Sequence, residues 1–467
     1  MRTIHFVSLG CVKNRVDTEV MLGVATGGGW RIVDEPDQAE VIVVNTCGFI
    51  GEAKKESIDT IFELAEYKKV GACKKLVVSG CLSQRYPGQL ADQMPEVDHF
   101  LGSSDMMKLA EVLGGGAERM LVGNPADWVV RATDPRVVTQ SRASAWLKLA
   151  EGCNRTCAFC VIPQLRGKQR SRGADDVVAE AERLVAGGVV ELNLVSQDTM
   201  AYGRDLAKDA RRSLAELVRR VADVNGVRWV RLFYLYPETV DEALIDLLAH
   251  HPRVVPYVDM PLQHAADSML RRMRRGHGKD RQRRVVERLR KAIPGLTFRT
   301  AFIVGHPGET QAEYDELVDF VVWARFEHAV VFRYSDEDSC AAHGLPDKVP
   351  ALVAANRARK LMALQRRIAR EKNRALVGRE LDVLVEGPSE EHELVMKGRH
   401  GGQAPDIDGS VYLSEGEAHA GQMRRVRIVQ ASDWDLVGEL QDDAARVPPR
   451  RVALKVLGSG SGEMRWQ

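Results

Sequence analysis

Three short apolar runs near the start of the chain each stop at a cysteine, and that repetition constrains the fold more than any other feature. Thr3-Ile4-His5-Phe6-Val7-Ser8-Leu9-Gly10 leads to Cys11, Val41-Ile42-Val43-Val44-Asn45-Thr46 to Cys47, and Leu76-Val77-Val78-Ser79-Gly80 to Cys81. Runs this short and rich in β-branched residues suit strands buried on both faces of a parallel sheet. Helical patterns separate them: Arg15 to Ala25, closed by Gly27-Gly28-Gly29, and Glu52 to Tyr67, where Ile58, Ile61, Phe62 and Ala65 form one apolar stripe. The alternation predicts a doubly wound α/β domain over residues 1–117. Ligands of such sheets gather beyond the carboxyl ends of the strands, so three thiols far apart in sequence would meet there. Each cysteine alone reads as a small core residue; their shared placement points to a metal site. Cys73 and Cys340 lack that placement and read as ordinary thiols.

A second group of thiols is local. Cys153-Asn154-Arg155-Thr156-Cys157-Ala158-Phe159-Cys160 follows a strand pattern at 144–149, and Gly152 loosens the backbone ahead of the first thiol. Thiolates suit soft metal centres, and an iron-sulfur cube normally takes four. A loop offering three leaves one iron open to another ligand. A zinc knuckle would need a second ligand pair, and no CxxC or HxxxH follows closely.

With 467 residues the chain has room for about three domains. Between 138 and 370, candidate strands at 146–149, 191–195, 227–233, 255–260, 297–304 and 329–334 alternate with helical stretches near 174–186, 212–223, 238–249, 279–292 and 309–324. That pattern predicts a partial, open (β/α)6 barrel with its chemistry at the carboxyl ends of the strands. A helix at 356–374 leads to residues 371–439, whose short alternating runs at 380–386, 392–396, 410–413 and 424–429 predict a small antiparallel β-barrel. Residues 440–467, with Val447-Pro448-Pro449 and Gly458-Ser459-Gly460-Ser461-Gly462, read as a flexible tail without chemistry. Net charge is +1, which by itself selects no partner. The N-terminus lacks the apolar core of a signal peptide and no run of about 18 apolar residues occurs, so a cytoplasmic, reducing compartment is expected, with no membrane.

The CxxxCxxC loop, with an aromatic residue before its last cysteine, resembles the signature of radical S-adenosylmethionine (SAM) enzymes. Ser8-Leu9-Gly10-Cys11 with Lys13, Asn14 and Asp17, Val44-Asn45-Thr46-Cys47-Gly48-Phe49-Ile50, and Ser79-Gly80-Cys81 resemble the N-terminal domain of the methylthiotransferases within that superfamily. The resemblance implies two [4Fe-4S] clusters, one on Cys153, Cys157 and Cys160, the other on Cys11, Cys47 and Cys81. It also implies SAM contacts from Phe159, Glu191 after Gly187-Gly188, Gln263 in Pro261-Leu262-Gln263-His264, and Gly305 and Glu309 in the segment 301–309. His264 reads either as a cofactor or substrate contact or, more readily, as a member of a structural network, and Ser196-Gln197-Asp198-Thr199, also at a strand end, is open to the same two readings. The basic run Arg271, Arg272, Arg274 and Arg275 reads as a solvated face, with phosphate contact the alternative.

The last domain resembles a TRAM module, a fold used to bind RNA. Its charge opposes RNA, since residues 376–438 hold six basic and twelve acidic side chains. A basic protein partner suits it better. The segment Gly398 to Gly409 resembles that of the ribosomal-protein methylthiotransferases. The expected activity is methylthiolation of the β-carbon of an aspartate in small-ribosomal-subunit protein 12, with two SAM molecules and an electron donor such as a flavodoxin. A tRNA isopentenyladenosine methylthiotransferase is the alternative, and a non-catalytic cluster-bearing ribosome-binding factor is another.

Overall fold

The computed structural model describes residues 2–139, 143–238, 240–391, 394–414 and 416–441. The first sheet contains β1 (Thr3–Ser8), β2 (Arg31–Ile32), β3 (Val41–Thr46), β4 (Lys75–Gly80), β5 (His99–Leu101) and β6 (Met120–Leu121), in the order β2-β1-β3-β4-β5-β6. Every neighbouring pair is parallel. Alternate residues of β3 enter two separate cores, Ile42 and Val44 under the helix Gly51–Ala65, and Val41 and Val43 under the helix Val12–Gly27. This is the doubly wound arrangement expected from the unbroken apolar runs. β2, β5 and β6 were not foreseen, because two or three residues are too few to show a period.

The second sheet runs in chain order: β7 (Ser144–Lys148), then, beyond the small hairpin β8 (Ala150–Glu151) and β9 (Arg170–Ser171), β10 (Glu191–Val195), β11 (Trp229–Leu232), β12 (Val254–Asp259), β13 (Thr297–Val304) and β14 (His328–Arg333). All its pairs are parallel, and β7 and β14 do not meet, so the barrel is open. The helices Ala174–Ala186, Leu214–Ala222, Glu242–His250, Lys279–Ala292 and Gln311–Ala324 cover its outer face in one large apolar core. Its inner face carries Trp146, Phe233 and Tyr257, with adjacent rings 4.9 and 5.9 Å apart. Against them pack Val16 from the first domain and Ala404 from the last.

The helix Ala351–Arg374 leads to a closed barrel of β15 (Glu380–Pro388), β16 (Met396–His400), β17 (Val411–Leu413), β18 (Met423–Ala431) and β19 (Leu436–Leu440), ordered β15-β16-β17-β19-β18. The barrel is not wholly antiparallel: β17 and β19 pair in parallel, and this unforeseen fifth strand closes the ring. The second run, expected at 392–396, forms its strand later, at Met396–His400, while 392 and 393 lie outside the described residues. So does the expected tail from 442 onward. No described helix is long and apolar enough to cross a membrane.

Candidate active site

The first sheet follows a 2-1-3-4-5 order, whose topological switch point lies between β1 and β3. Cys11 and Cys47 leave the carboxyl ends of those two strands, and Cys81 leaves β4 beside them. The backbones come close: a Cβ added to Gly10 would lie 3.1 Å from the Cys47 sulfur, and one on Gly48 2.7 Å from the Cys81 carbonyl oxygen. Asn14 ties the strand ends together, donating to the Leu9 and Thr46 carbonyls at 3.0 Å each, while its side-chain oxygen accepts from the Cys81 thiol at 3.7 Å. Burial, reinforced by the Cys81 and Cys11 thiols, pushes Cys47 up to about 12. Cys11 itself is exposed.

The local triad hangs from the end of β7. Gly152 adopts φ +83°, and a Cβ there would sit 2.2 Å from the Lys168 carbonyl oxygen, so only glycine lets the chain enter the loop. Backbone bonds hold the loop in place: Cys153 N–H to Gly167 O at 3.1 Å, Ala158 N–H to Met273 O at 3.0 Å, and Ala342 N–H to Ala158 O at 2.8 Å. Burial raises Cys153 to about 11 and Cys160 to about 12. Arg275 donates to the Cys157 sulfur at 3.3 Å. Its guanidinium stacks over Tyr236, whose other neighbour, Arg155, lies 3.4 Å from the ring centroid.

Packing links the neighbourhoods of the two triads. Cys81, Val161, Leu165 and Cys340 share one apolar cluster with Phe49, and Val161 directly follows Cys160. A buried ionic lattice joins their supports. Asp17 of the first domain pairs with Lys148 at 2.5 Å and Arg166 at 2.7 Å, and Lys148 also pairs with Glu151 at 2.8 Å. Glu151 is held down at about 2, burial being outweighed by Lys148 and Arg166. Lys148, Glu151 and Arg166 were missed from sequence. Their one signal is position, since all three flank the CxxxCxxC loop.

Several expected contacts fall elsewhere. Glu191 opens β10 at the amino end of the sheet, away from both triads, where it is fully buried between Arg399 at 2.5 Å and Arg231 at 3.1 Å. It therefore anchors the C-terminal barrel and is not placed to hold SAM. Glu309 is at the correct end, but its oxygens are already taken by the Gly305 N–H at 2.6 Å, Arg357 at 2.6 Å and His264 at 3.1 Å. It locks the turn after β13 rather than presenting a free carboxylate. Gly305 is dictated by Ala354, whose Cβ would be 2.4 Å from an added Cβ. Gln263, at φ +71°, makes no side-chain hydrogen bond among the described residues and remains available at the mouth, and Phe159 packs with Met269 and Ile303 in its wall. In the basic run only Arg271 and Arg274 are exposed; Arg275 is buried and Arg272 donates to the Gly308 carbonyl at 2.8 Å. Cys340, read from sequence as an ordinary thiol, packs with Cys81 and Val161.

Among the described residues no group of three or more His, Cys, Asp or Glu is drawn tightly enough for a single ion. A cube distributes its thiolates over separate irons, so three thiols per site without a fourth fit a cluster better than zinc. Arg275 fits the same reading: it is 4% exposed, and among the described residues its Nε has no partner and no carboxylate pairs with it, which suits a neighbour that becomes anionic.

An open (β/α)6 barrel with a CxxxCxxC loop at its mouth, joined to a doubly wound domain and a small β-barrel, defines a radical SAM enzyme of the methylthiotransferase type. Family profiles agree: uncharacterized protein family UPF0004 matches residues 3–102, the radical SAM superfamily 147–321 and the TRAM domain 377–440. The chain is 66% identical to the ribosomal protein uS12 methylthiotransferase RimO of Sorangium cellulosum over 99% of both chains, and 49% identical to that of Myxococcus xanthus over 94% of this chain and 92% of the other. It belongs to the RimO family. A solved structure of the radical SAM methyltransferase TsrM from Kitasatospora setae shares the fold, with a TM-score of 0.52 at 17% identity over 71% of this chain and 75% of that one.

Proposed function

We propose that this enzyme methylthiolates the β-carbon of an aspartate in ribosomal protein uS12. The observation that supports the reading is the apolar cluster that joins Cys81 of one triad to Val161, the residue after Cys160 of the other, across the two α/β domains. One [4Fe-4S] cluster per triad and two SAM molecules would supply the reducing electron, the hydrogen-abstracting radical and the methyl group, with the sulfur atom coming from an exogenous sulfide-level donor. The chain's own residues bind and orient. Cys11, Cys47 and Cys81 would hold the cluster nearest the incoming sulfur, and Cys153, Cys157 and Cys160 the one that receives SAM. Gln263 and Phe159 line the SAM side, and the Asp17 lattice keeps the two sites in register. A low-potential donor such as a flavodoxin would deliver electrons, and the cytoplasm is the compartment in which uS12 and reduced thiols coexist.

Burial pushes the Cys47 and Cys160 thiols up to about 12, so assembling a cluster on them must release protons and weakens as pH falls. The test is anaerobic reconstitution with uS12, SAM and reductant, read by mass spectrometry of uS12 and of tRNA. A methylthio mass gain on uS12 supports the reading; modification of tRNA alone defeats it. Replacing either triad by alanine is expected to halve the bound iron while sparing the other site.

A further inference from the structure

Among the described residues the buried carboxylates around the two triads are spoken for, Glu337 by Lys54 and Arg85. Asp17 and Glu151 serve Lys148 and Arg166. Asp198 and Glu238 serve Arg155. Two cations are left without a carboxylate. Arg275 answers Cys157 directly. The other is Lys13, 6% exposed, which makes no ion pair with any described residue.

Lys13 lies two residues after Cys11, and its ammonium rests 3.3 Å from the centroid of the Tyr234 ring. Tyr234 lies just past the carboxyl end of β11, at the barrel mouth, and is held at φ +57° with its N–H donating to Asp259 at 3.0 Å. Such a conformation is strained for a bulky side chain, and here it aims the ring at Lys13. The ammonium thus stands between the auxiliary triad and the mouth of the radical barrel, where the reacting side chain must sit. The helix behind it adds to the field. Val12–Gly27 begins at Cys11 with no side-chain cap and no acidic residue in its first turn. Its leading N–H groups and the nearby ammonium therefore favour the same thing, a negative charge.

We infer that Lys13, with the uncapped start of its helix, binds the side-chain carboxylate of the substrate residue and so selects an acidic acceptor over a neutral one. This rests on the uS12 reading above and assigns the group that recognises the aspartate. A carboxylate seated there would place its neighbouring CH2 between the two cluster sites while the charge stayed matched. The rival role for Lys13 is charge compensation of the auxiliary cluster.

The test uses the full-length, anaerobically reconstituted enzyme with uS12 carrying aspartate or asparagine at the acceptor position. Lys13→Met is expected to weaken binding of the aspartate form at least about tenfold, to leave the asparagine form unaffected, and to retain wild-type iron content and auxiliary-cluster midpoint potential. Lys13→Arg should recover part of the preference. Equal effects on both forms, no effect on either, or lost iron or a shifted potential in Lys13→Met would overturn the assignment. A wild-type enzyme that leaves uS12 unmodified while cleaving SAM instead defeats the proposed function, and the Lys13 assignment falls with it.

Discussion

Arg275 illustrates how much a single side chain can contribute without touching substrate. A guanidinium 3.3 Å from the Cys157 sulfur places a charged N–H donor on a ligand of the radical-generating cluster. Hydrogen bonds to ligand sulfurs stabilise the reduced, more negative state and raise the reduction potential. Arg275→Met is expected to lower the midpoint potential of the cluster on Cys153, Cys157 and Cys160 by tens of millivolts, followed by potentiometry with EPR detection in protein with a full iron complement. An unchanged potential would mean that Arg275 serves the Pro261 carbonyl, which it also meets at 2.8 Å, and little else. This role was not legible in the sequence, where Arg275 is one of four arginines in five positions. The six cysteines were legible because their spacing and strand-end placement are local facts. Glu191 and Glu309 were misjudged for the opposite reason. A carboxylate's role depends on which cation reaches it, and Arg399 and Arg357 arrive from 208 and 48 residues away.

Among the elements, the helix Val12–Gly27 joins most of the site. It carries Cys11 at its start and Lys13 at its first turn, puts Val16 against Trp146 inside the barrel, sends Asp17 to Lys148 of the second domain, and sets Glu19 against Arg136, in the segment leading into that domain, at 2.7 Å. Removing one member of a buried pair leaves an uncompensated charge. Asp17→Ala, which leaves Lys148 and Arg166 to share Glu151 alone, is expected to cost about 3–5 kcal/mol, seen as a lower urea midpoint and faster proteolysis of the junction between the first two domains. A loss below about 1 kcal/mol would place the lattice among pairs that water can replace. Gly152→Ala should act more locally: a Cβ 2.2 Å from the Lys168 carbonyl must displace the loop. Iron at the Cys153 triad should fall while that at the Cys11 triad persists, as read by iron analysis and the EPR of each cluster. The elements themselves were legible wherever a strand is buried on both faces. They were not where a strand is two residues long, or where closure of a ring, as by β19, depends on partners distant in sequence.

Over the whole molecule the acidic last domain also has an internal role. Part of its surplus faces inward. Asp408 accepts from the Tyr257 hydroxyl at 2.7 Å and lies 3.4 Å from Arg299, Arg231 donates to the Gly401 carbonyl at 2.8 Å, and at the surface Asp406 pairs with Arg15 at 2.7 Å. The segment from Gly398 to Gly409 thus plugs the amino half of the open barrel and reaches the first domain, so it holds the three units together. Glu191 sits at the centre of that seal, and burial, which alone would raise its carboxyl, is outweighed by Arg399 and then Arg231, which hold it at about 2. Its value in the unfolded chain is near 4.5, so the folded state binds this proton less readily, and the stabilisation is fully present above pH 4.5. It is lost as pH falls from 4.5 towards 2. A shift of that size corresponds to about 3 kcal/mol. Glu191→Gln is therefore expected to lower stability at pH 7 by about that amount and to flatten the loss of stability across that acid window, measured by thermal unfolding at a series of pH values. An undiminished acid slope in the variant would show that the seal is carried by Asp408 and its partners instead.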